Sequence, residues 1–138
     1  MSRDQQNQIF SAAIEEAAML LEKQGEFFPF ALGLRPNESI AVYSAYDGDE
    51  CPRSSEVIAQ LIGGLKQEAL EQKIIASAIT YEVSGTFDSS KGSQSAVCVA
   101  VEHANLSPIT CFQPFVLEGS SFIGGEVIAQ EGEANVFE

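Results

Sequence analysis

The segment from Ser95 to Glu102 reads S-A-V-C-V-A-V-E. Its three valines alternate with small residues, and alternation with a period of two is typical of a β-strand. Three other segments have β-like patterns, namely residues 74–83, 109–117 and 122–130. Turn residues at 118–121 join the last two of these segments. The second half of the chain therefore predicts antiparallel strands that follow one another.

The residues before this region predict two helices. From Asp4 to Gln24 apolar residues recur at helical spacing, and Gly25 supplies the left-handed residue that commonly ends a helix. A second helix is predicted from about Pro52 to Gln72 on the same criterion. The two apolar stripes consist of Phe10, Ile14, Ala17 and Leu21 in the first helix, and of Ile58, Leu61, Ile62, Leu65 and Ala69 in the second.

A β-hairpin is predicted between the two helices. Residues 27–34 are aromatic and apolar, residues 39–46 alternate again, and the intervening R-P-N-E sequence at 35–38 has turn composition. Pro29 has no backbone N–H to donate, so we expect it at the start of a strand or on an edge.

Two expectations concern residues that interrupt the pattern. The polar residues from Ser84 to Ser93 predict a loop between two strands. Gly63 and Gly64 fall in the middle of the second predicted helix, where each glycine costs about 1 kcal/mol relative to alanine. We therefore expect these glycines to allow close packing against the sheet or the first helix.

The order of elements is helix, two strands, helix, then three or four strands, that is α-β-β-α-β-β-β(-β). This order predicts a single α+β domain over residues 1–138, with one antiparallel sheet of about five to six strands and two helices packed on it. The length of 138 residues is close to the usual size of one domain.

Two short segments carry a resemblance to known proteins. The sequence F-F-P-F at residues 27–30 and the acidic D-G-D turn at residues 47–49 resemble a family of small bacterial proteins without an established activity. The order of elements is also similar to that of profilin-like and roadblock-like domains. The resemblance implies the fold and a bacterial origin, and it implies no catalytic residue.

Charge is the clearest signal about partners. The net charge is −13, which disfavours binding to nucleic acid or to anionic membranes. Every Lys and Arg lies at or before Lys91, whereas residues 92–138 hold six glutamates, among them Glu118 and Glu126. This asymmetry suits either a solvated surface or a docking face for a basic protein partner. The polar start of the sequence and the lack of a long apolar run predict a cytoplasmic protein.

The densest group of polar residues lies before the second predicted helix and comprises Asp47, Asp49, Glu50 and Glu56. Carboxylates in a turn suit a divalent cation, but the spacing is not that of an EF-hand loop. Capping of the helix and solvation account for these residues, so we predict no metal and no cofactor. Asp47, Asp49 and Glu50 remain candidate interaction residues.

Cysteine and histidine give little support for catalysis. Cys98 lies within an apolar strand pattern and is interpreted as a small hydrophobic residue. Cys51 precedes a helix, where its thiol pKa could fall, but the neighbouring Asp49 and Glu50 oppose this. The only histidine, His103, is expected on the surface at the end of a strand. No nucleotide-binding or hydrolase motif occurs.

We therefore expect a non-enzymatic interaction domain whose acidic face engages another protein, with a second copy of the chain as one candidate. The alternative is a module that binds a small ligand between the second helix and the aromatic hairpin. A weak hydrolase or metal enzyme is the third option. A flat acidic or apolar surface would favour a protein partner, and a deep cavity would favour a ligand.

Overall fold

The structure is a computed structural model that describes residues 2–25, 27, 29–44, 54–88, 92–104, 106–133 and 136–137. It contains two helices and seven strands in an order that agrees with the prediction. In chain order these are α1 (Ser2–Gln24), β1 (Phe30–Leu34), β2 (Ile40–Ser44), α2 (Ser54–Leu70), β3 (Ala76–Asp88), β4 (Gly92–His103), β5 (Leu106–Glu118), β6 (Ser121–Gly124) and β7 (Ile128–Glu131).

The strands form one antiparallel sheet in the order β2-β1-β3-β4-β5-β6, and β7 also pairs with β5. β6 pairs with residues 115–118 of β5 and β7 pairs with residues 109–112, so the two short strands lie end to end along the same side of β5. The predicted fold class, α+β with a single antiparallel sheet and two helices, is confirmed.

The two helices cover opposite faces of the sheet. The buried side of α1 packs on the face that carries Leu32, Val97 and Val99, and α2 packs on the face that carries Ala31 and Ile79. Because successive side chains of a strand point to opposite faces, the same strands supply both cores. The helix residues buried most deeply are Ile9, Ala13, Ala17 and Leu21 in α1, and Val57, Leu61 and Leu65 in α2.

The ends of the first helix and of the hairpin follow the prediction. Gly25 has a φ of 78°, and its N–H donates to the carbonyl oxygen of Leu21 at 2.8 Å. The turn between β1 and β2 falls at residues 35–39, and Pro29 directly precedes β1. β1 lies between β2 and β3, so Pro29 occupies a strand start and not an edge.

The prediction of a loop over Ser84–Ser93 is wrong. β3 continues to Asp88 and β4 begins at Gly92, and their register runs through pairs such as Ser84 with Ser95 and Gly85 with Gln94. Backbone hydrogen bonds between adjacent strands do not require apolar side chains, so the polar residues extend the hairpin beyond the helices.

The predicted stretch 122–130 is split into β6 and β7, and Pro114 of β5 explains the split. The carbonyl oxygen of Pro114 accepts a hydrogen bond from the N–H of Gly125 at 2.7 Å, so this residue directs its backbone toward the outer strands. Proline has no N–H to donate on that side. The outer ladder is interrupted there, between the two paired segments of β5.

The prediction that Gly63 and Gly64 allow close packing is also wrong. Both are exposed, and within the described residues no atom lies within 4 Å of a Cβ built on either one. The buried stripe of α2 lies on a different side of the helix. A buried glycine that does make close contacts is Gly33 in β1, where a Cβ would lie 2.9 Å from both Ile74 Cγ2 and Tyr43 Cε2.

Candidate functional site

The outer edge of the sheet carries most of the acidic residues predicted from the charge asymmetry. We call the exposed Glu118, Glu126, Glu131 and Glu133, together with β6 and β7, the acidic edge. No lysine or arginine occurs after Lys91 in the sequence, so these carboxylates have no basic neighbour from their own part of the chain. Glu118 and Glu126 are both exposed on this outer edge of the sheet.

Apolar side chains accompany these carboxylates on the surface. Val116, Ile123, Val127 and Ile128 are all exposed, by 38% for Ile128 up to 47% for Val116. No described strand pairs with the outer side of β6 or β7. An edge strand presents backbone N–H and C=O groups that can pair with an added strand. The acidic edge thus combines negative charge, apolar side chains and strand-pairing groups.

The acidic edge is anchored to the rest of the sheet at several points. Glu22 at the end of α1 accepts a hydrogen bond from the N–H of Phe122 at 2.9 Å. The rings of Phe115 and Phe122 stack with centroids 5.3 Å apart. Gln113 donates its side-chain amide to the carbonyl oxygen of Gly125 at 3.0 Å. These contacts hold β6 in a fixed position along β5.

Glu102 does not belong to this surface, although the sequence groups it with the other late glutamates. Its side chain is only 3% exposed and lies on the α2 face of the sheet. One carboxylate oxygen accepts hydrogen bonds from the N–H groups of Val136 at 2.9 Å and Phe137 at 3.2 Å. A buried carboxylate needs such partners to offset its lost hydration.

A cleft of about 400 Å³ lies between the end of α2 and the turn of the β1–β2 hairpin. Its walls include Arg35, Tyr43, Glu68 and Lys73. The Tyr43 hydroxyl donates to a Glu68 carboxylate oxygen at 3.3 Å, and the Lys73 ammonium lies 3.7 Å from Glu68. Burial and the neighbouring Glu68 raise the pKa of Tyr43, so its hydroxyl remains a donor at neutral pH. This cleft is in the region that the sequence suggested for a small ligand.

A second and larger cavity, about 660 Å³, opens on the α1 face beyond Gly25. Its walls include Glu82, Gln94, Ser95 and Phe115. The cavity exists because the β3–β4 hairpin extends past the end of α1. Its lining offers one carboxylate and no described cationic group.

The described cysteines are not arranged as nucleophiles. Cys98 is 1% exposed and lies directly opposite Tyr81, which confirms its interpretation as a buried hydrophobic residue. Burial raises the pKa of the Cys98 thiol and of the half-buried Cys111 thiol. Burial and contact with Cys98 raise the pKa of Tyr81 to about 12. All three groups are therefore protonated at neutral pH.

His103 is not on the surface, so that expectation is wrong. It ends β4 as predicted, but it is 4% exposed because α1 covers it. Its Nε2 lies 2.8 Å from Oε1 of Gln5 in α1, and burial lowers the pKa of the ring. The neutral imidazole donating to Gln5 accounts for this contact. No sequence signal identified this pairing, because 98 residues separate the two side chains.

The predicted acidic turn before α2 is not part of the described structure. Asp47, Asp49, Glu50 and Cys51 lie outside the described residues, so their roles stay predictions. Glu56 is exposed in the first turn of α2. Over the described ranges, no group of three or more His, Cys, Asp or Glu side chains is placed to hold a metal ion. Neither helix, as far as it is described, is long and apolar enough to cross a membrane.

Comparison of the chain with protein-family models, with curated proteins and with solved structures gives no match in any of the three. The resemblance to small bacterial proteins and to profilin-like or roadblock-like domains therefore stays a prediction.

Proposed function

We propose that this chain is a non-enzymatic protein-interaction domain that binds a basic, extended segment of its partner along the acidic edge. The observation that carries the proposal is the conjunction of Glu118, Glu126, Glu131 and Glu133 with the outer side of β7, along which no described strand pairs. Strand addition supplies backbone hydrogen bonds, and side chains at alternate positions supply specificity. Lysines or arginines of the partner segment would face the glutamates, and its apolar residues would contact Ile123 and Ile128.

The negative charge of the acidic edge opposes pairing with the same edge of a second copy of the chain. Two acidic edges brought together would place glutamates opposite glutamates without any cation from residues 92–133. Like charges directly opposite each other on paired strands are destabilising. The proposal therefore assigns this edge to a basic partner and not to the same edge of a second copy.

A designed probe tests the proposal without a known partner. We expect an extended peptide of alternating lysine and valine to bind the full chain in calorimetric titrations, and to bind more weakly as salt screens the attraction. The double variant Glu118→Lys with Glu126→Lys should abolish binding. The matched control reverses Glu15 and Glu38, which are exposed outside the acidic edge, and changes the net charge equally.

The control separates a local site from a general effect of charge. If the Glu15 and Glu38 reversal weakens binding as much as the edge reversal, the peptide responds only to net charge and the acidic edge is not a site. Binding that does not change with salt would also contradict the proposal, because the attraction to glutamates is then not its source.

A second candidate function is supported by the cleft beside Tyr43. Arg35 and Lys73, two of only seven cationic residues in the chain, lie in its walls, and Glu68 adds an acceptor. A small carboxylate-bearing ligand of matching size would interact with the two cations. Titration with succinate, followed by NMR, should shift the amide signals of residues 35–43 and 68–73, and Lys73→Gln should reduce these shifts. Shifts spread evenly over the molecule would contradict this candidate.

A further inference from the structure

Residues Val136 and Phe137 occupy a defined seat on the face of the sheet opposite α1. Val136 is 3% exposed and joins the buried cluster that contains Val57, Leu61 and Ile79. Phe137 is half-buried against the same cluster. The seat thus consists of an apolar wall from α2 and β3, together with the Glu102 carboxylate on β4.

Glu102 gives the seat its polar specificity. One of its oxygens accepts both backbone N–H groups of the segment, at 2.9 and 3.2 Å. Hydrogen bonds to an ionised carboxylate are stronger than those between neutral groups. The Glu102 carboxylate therefore binds two adjacent backbone N–H groups, and the apolar wall binds a branched side chain, which are properties of a peptide-binding site.

The strand that leads to this segment is weakly tied to the sheet. All four side chains of β7 are exposed, and β7 pairs only with residues 109–112 of β5. Just after β7, the N–H of Gly132 donates to the Pro108 carbonyl oxygen at 3.1 Å. Segments with few buried contacts detach at low free-energy cost. Release of the segment itself gives up the burial of Val136 and two hydrogen bonds to Glu102, and the same segment of a second copy restores both.

We propose that this seat is an exchangeable peptide-binding site that accepts the 136–137 segment of a second copy of the chain. The chain's own segment already demonstrates the fit, and every contact it makes with Glu102 and the α2 cluster can be made by the same residues of another copy. Reciprocal exchange gives a closed twofold dimer. This inference does not rest on the acidic edge, because the seat lies on the α2 face of the sheet.

Charge predicts how this dimer responds to salt. Two copies that each carry −13 repel each other, and residues 131–138 themselves contain three glutamates. Screening reduces this repulsion. The exchanged dimer should therefore become more populated as salt increases, whereas binding of a basic partner at the acidic edge should become weaker. The two salt dependences have opposite signs and distinguish the failure of one proposal from the failure of the other.

The experiment uses a labelled peptide with the sequence of residues 131–138 and the full-length chain. Val136→Asp vacates the seat in cis, so this variant should bind the peptide about tenfold or more tightly than the wild-type chain, whose own segment competes at high effective concentration. Val127→Asp is the matched control, because Val127 is exposed outside the seat and its replacement should leave peptide binding at the wild-type level. A peptide carrying Val136→Asp should not bind.

Sedimentation equilibrium of the wild-type chain supplies an independent readout. We expect dimers at high protein concentration, a larger dimer fraction at high salt, and monomers for Val136→Asp under all conditions. If Val136→Asp fails to bind the peptide, or if the wild-type chain stays monomeric at every salt concentration, the proposal is overturned. Peptide binding that is equal in wild type and Val136→Asp would also overturn it, because the peptide would then occupy another surface.

Discussion

In β1, at the centre of the sheet, all five residues are buried, whereas in β7, on the outer edge, all four residues are exposed. β1 lies between β2 and β3 and is covered by a helix on each face. β7 pairs on one side only, and its side chains contribute nothing to either buried cluster.

This difference separates residues that stabilise the fold from residues that are available for recognition. Burial of apolar side chains is the main favourable contribution to folding, so the centre determines stability. Edge residues that remain in water can change with little effect on the free energy of unfolding. Four predictions test whether the separation holds.

The largest effect is expected for Leu65→Ala in α2. The Leu65 side chain is fully buried against the sheet, and its truncation removes apolar contacts and leaves a cavity. We expect a loss of about 2–5 kcal/mol in the free energy of unfolding, measured by urea denaturation. Ile123→Ala on the edge is the control and should change this free energy by no more than about 1 kcal/mol. Equal losses would show that the edge stabilises the fold as much as the centre does.

Gly33→Ala should produce the next largest effect. The added Cβ would lie 2.9 Å from Ile74 Cγ2 and 2.9 Å from Tyr43 Cε2, so at least one of these side chains must move. Overpacking of this kind costs about 1–3 kcal/mol. A melting temperature equal to that of the wild type would show that Ile74 and Tyr43 adjust freely, and that the centre is less tightly packed than its geometry indicates.

Gly64→Ala should change stability in the opposite direction. Gly64 is exposed in α2 and has open space around it, so alanine removes the conformational cost of glycine without a clash. We expect a gain of up to about 1 kcal/mol by thermal denaturation. Gly119→Ala, in the turn before β6, also meets open space but has a φ of 63°. It should destabilise the protein, and a gain there would contradict the argument from φ.

The smallest effect concerns His103 and the pH dependence of stability. Burial lowers the folded-state pKa of His103 below its ordinary value, so the unfolded chain binds the proton more tightly. The contribution of His103 to the free energy of unfolding is therefore highest above about pH 6.5, where the ring is neutral in both states, and it decreases as the pH falls toward the folded-state pKa. His103→Gln should show a smaller loss of unfolding free energy between neutral and mildly acidic pH. Identical pH slopes for the two proteins would contradict this assignment.

Local patterns in the sequence identified most of the elements correctly. The stripes through Leu21 and Leu65 located both helices, and Gly25 marked the end of the first. These signals work because they depend on spacing along the chain and on backbone geometry at one residue. The exposed positions of Glu118 and Glu126 were also predicted, because late carboxylates without nearby basic residues are expected to remain in water.

The errors occurred where burial depends on residues that are distant in sequence. Glu102 belongs to the glutamate-rich part of the sequence, but it is buried and accepts a hydrogen bond from the N–H of Val136. His103 was expected on the surface, but α1 covers it and Gln5 contacts its ring. Gly63 and Gly64 were expected to allow close packing, but both lie on the exposed side of α2, where no other described element approaches them. In each case the residue type was compatible with two environments.

The sequence by itself determined the α+β class, the two amphipathic helices, the series of antiparallel strands and the concentration of glutamates after Lys91. These properties follow from periodicity, turn residues and composition. Only the folded chain shows that the helices lie on opposite faces of the sheet, that β6 and β7 lie end to end along one outer edge, and that Glu102 holds residues 136–137. They depend on which distant segments meet, because burial and hydrogen bonding are set by those contacts and not by spacing along the chain.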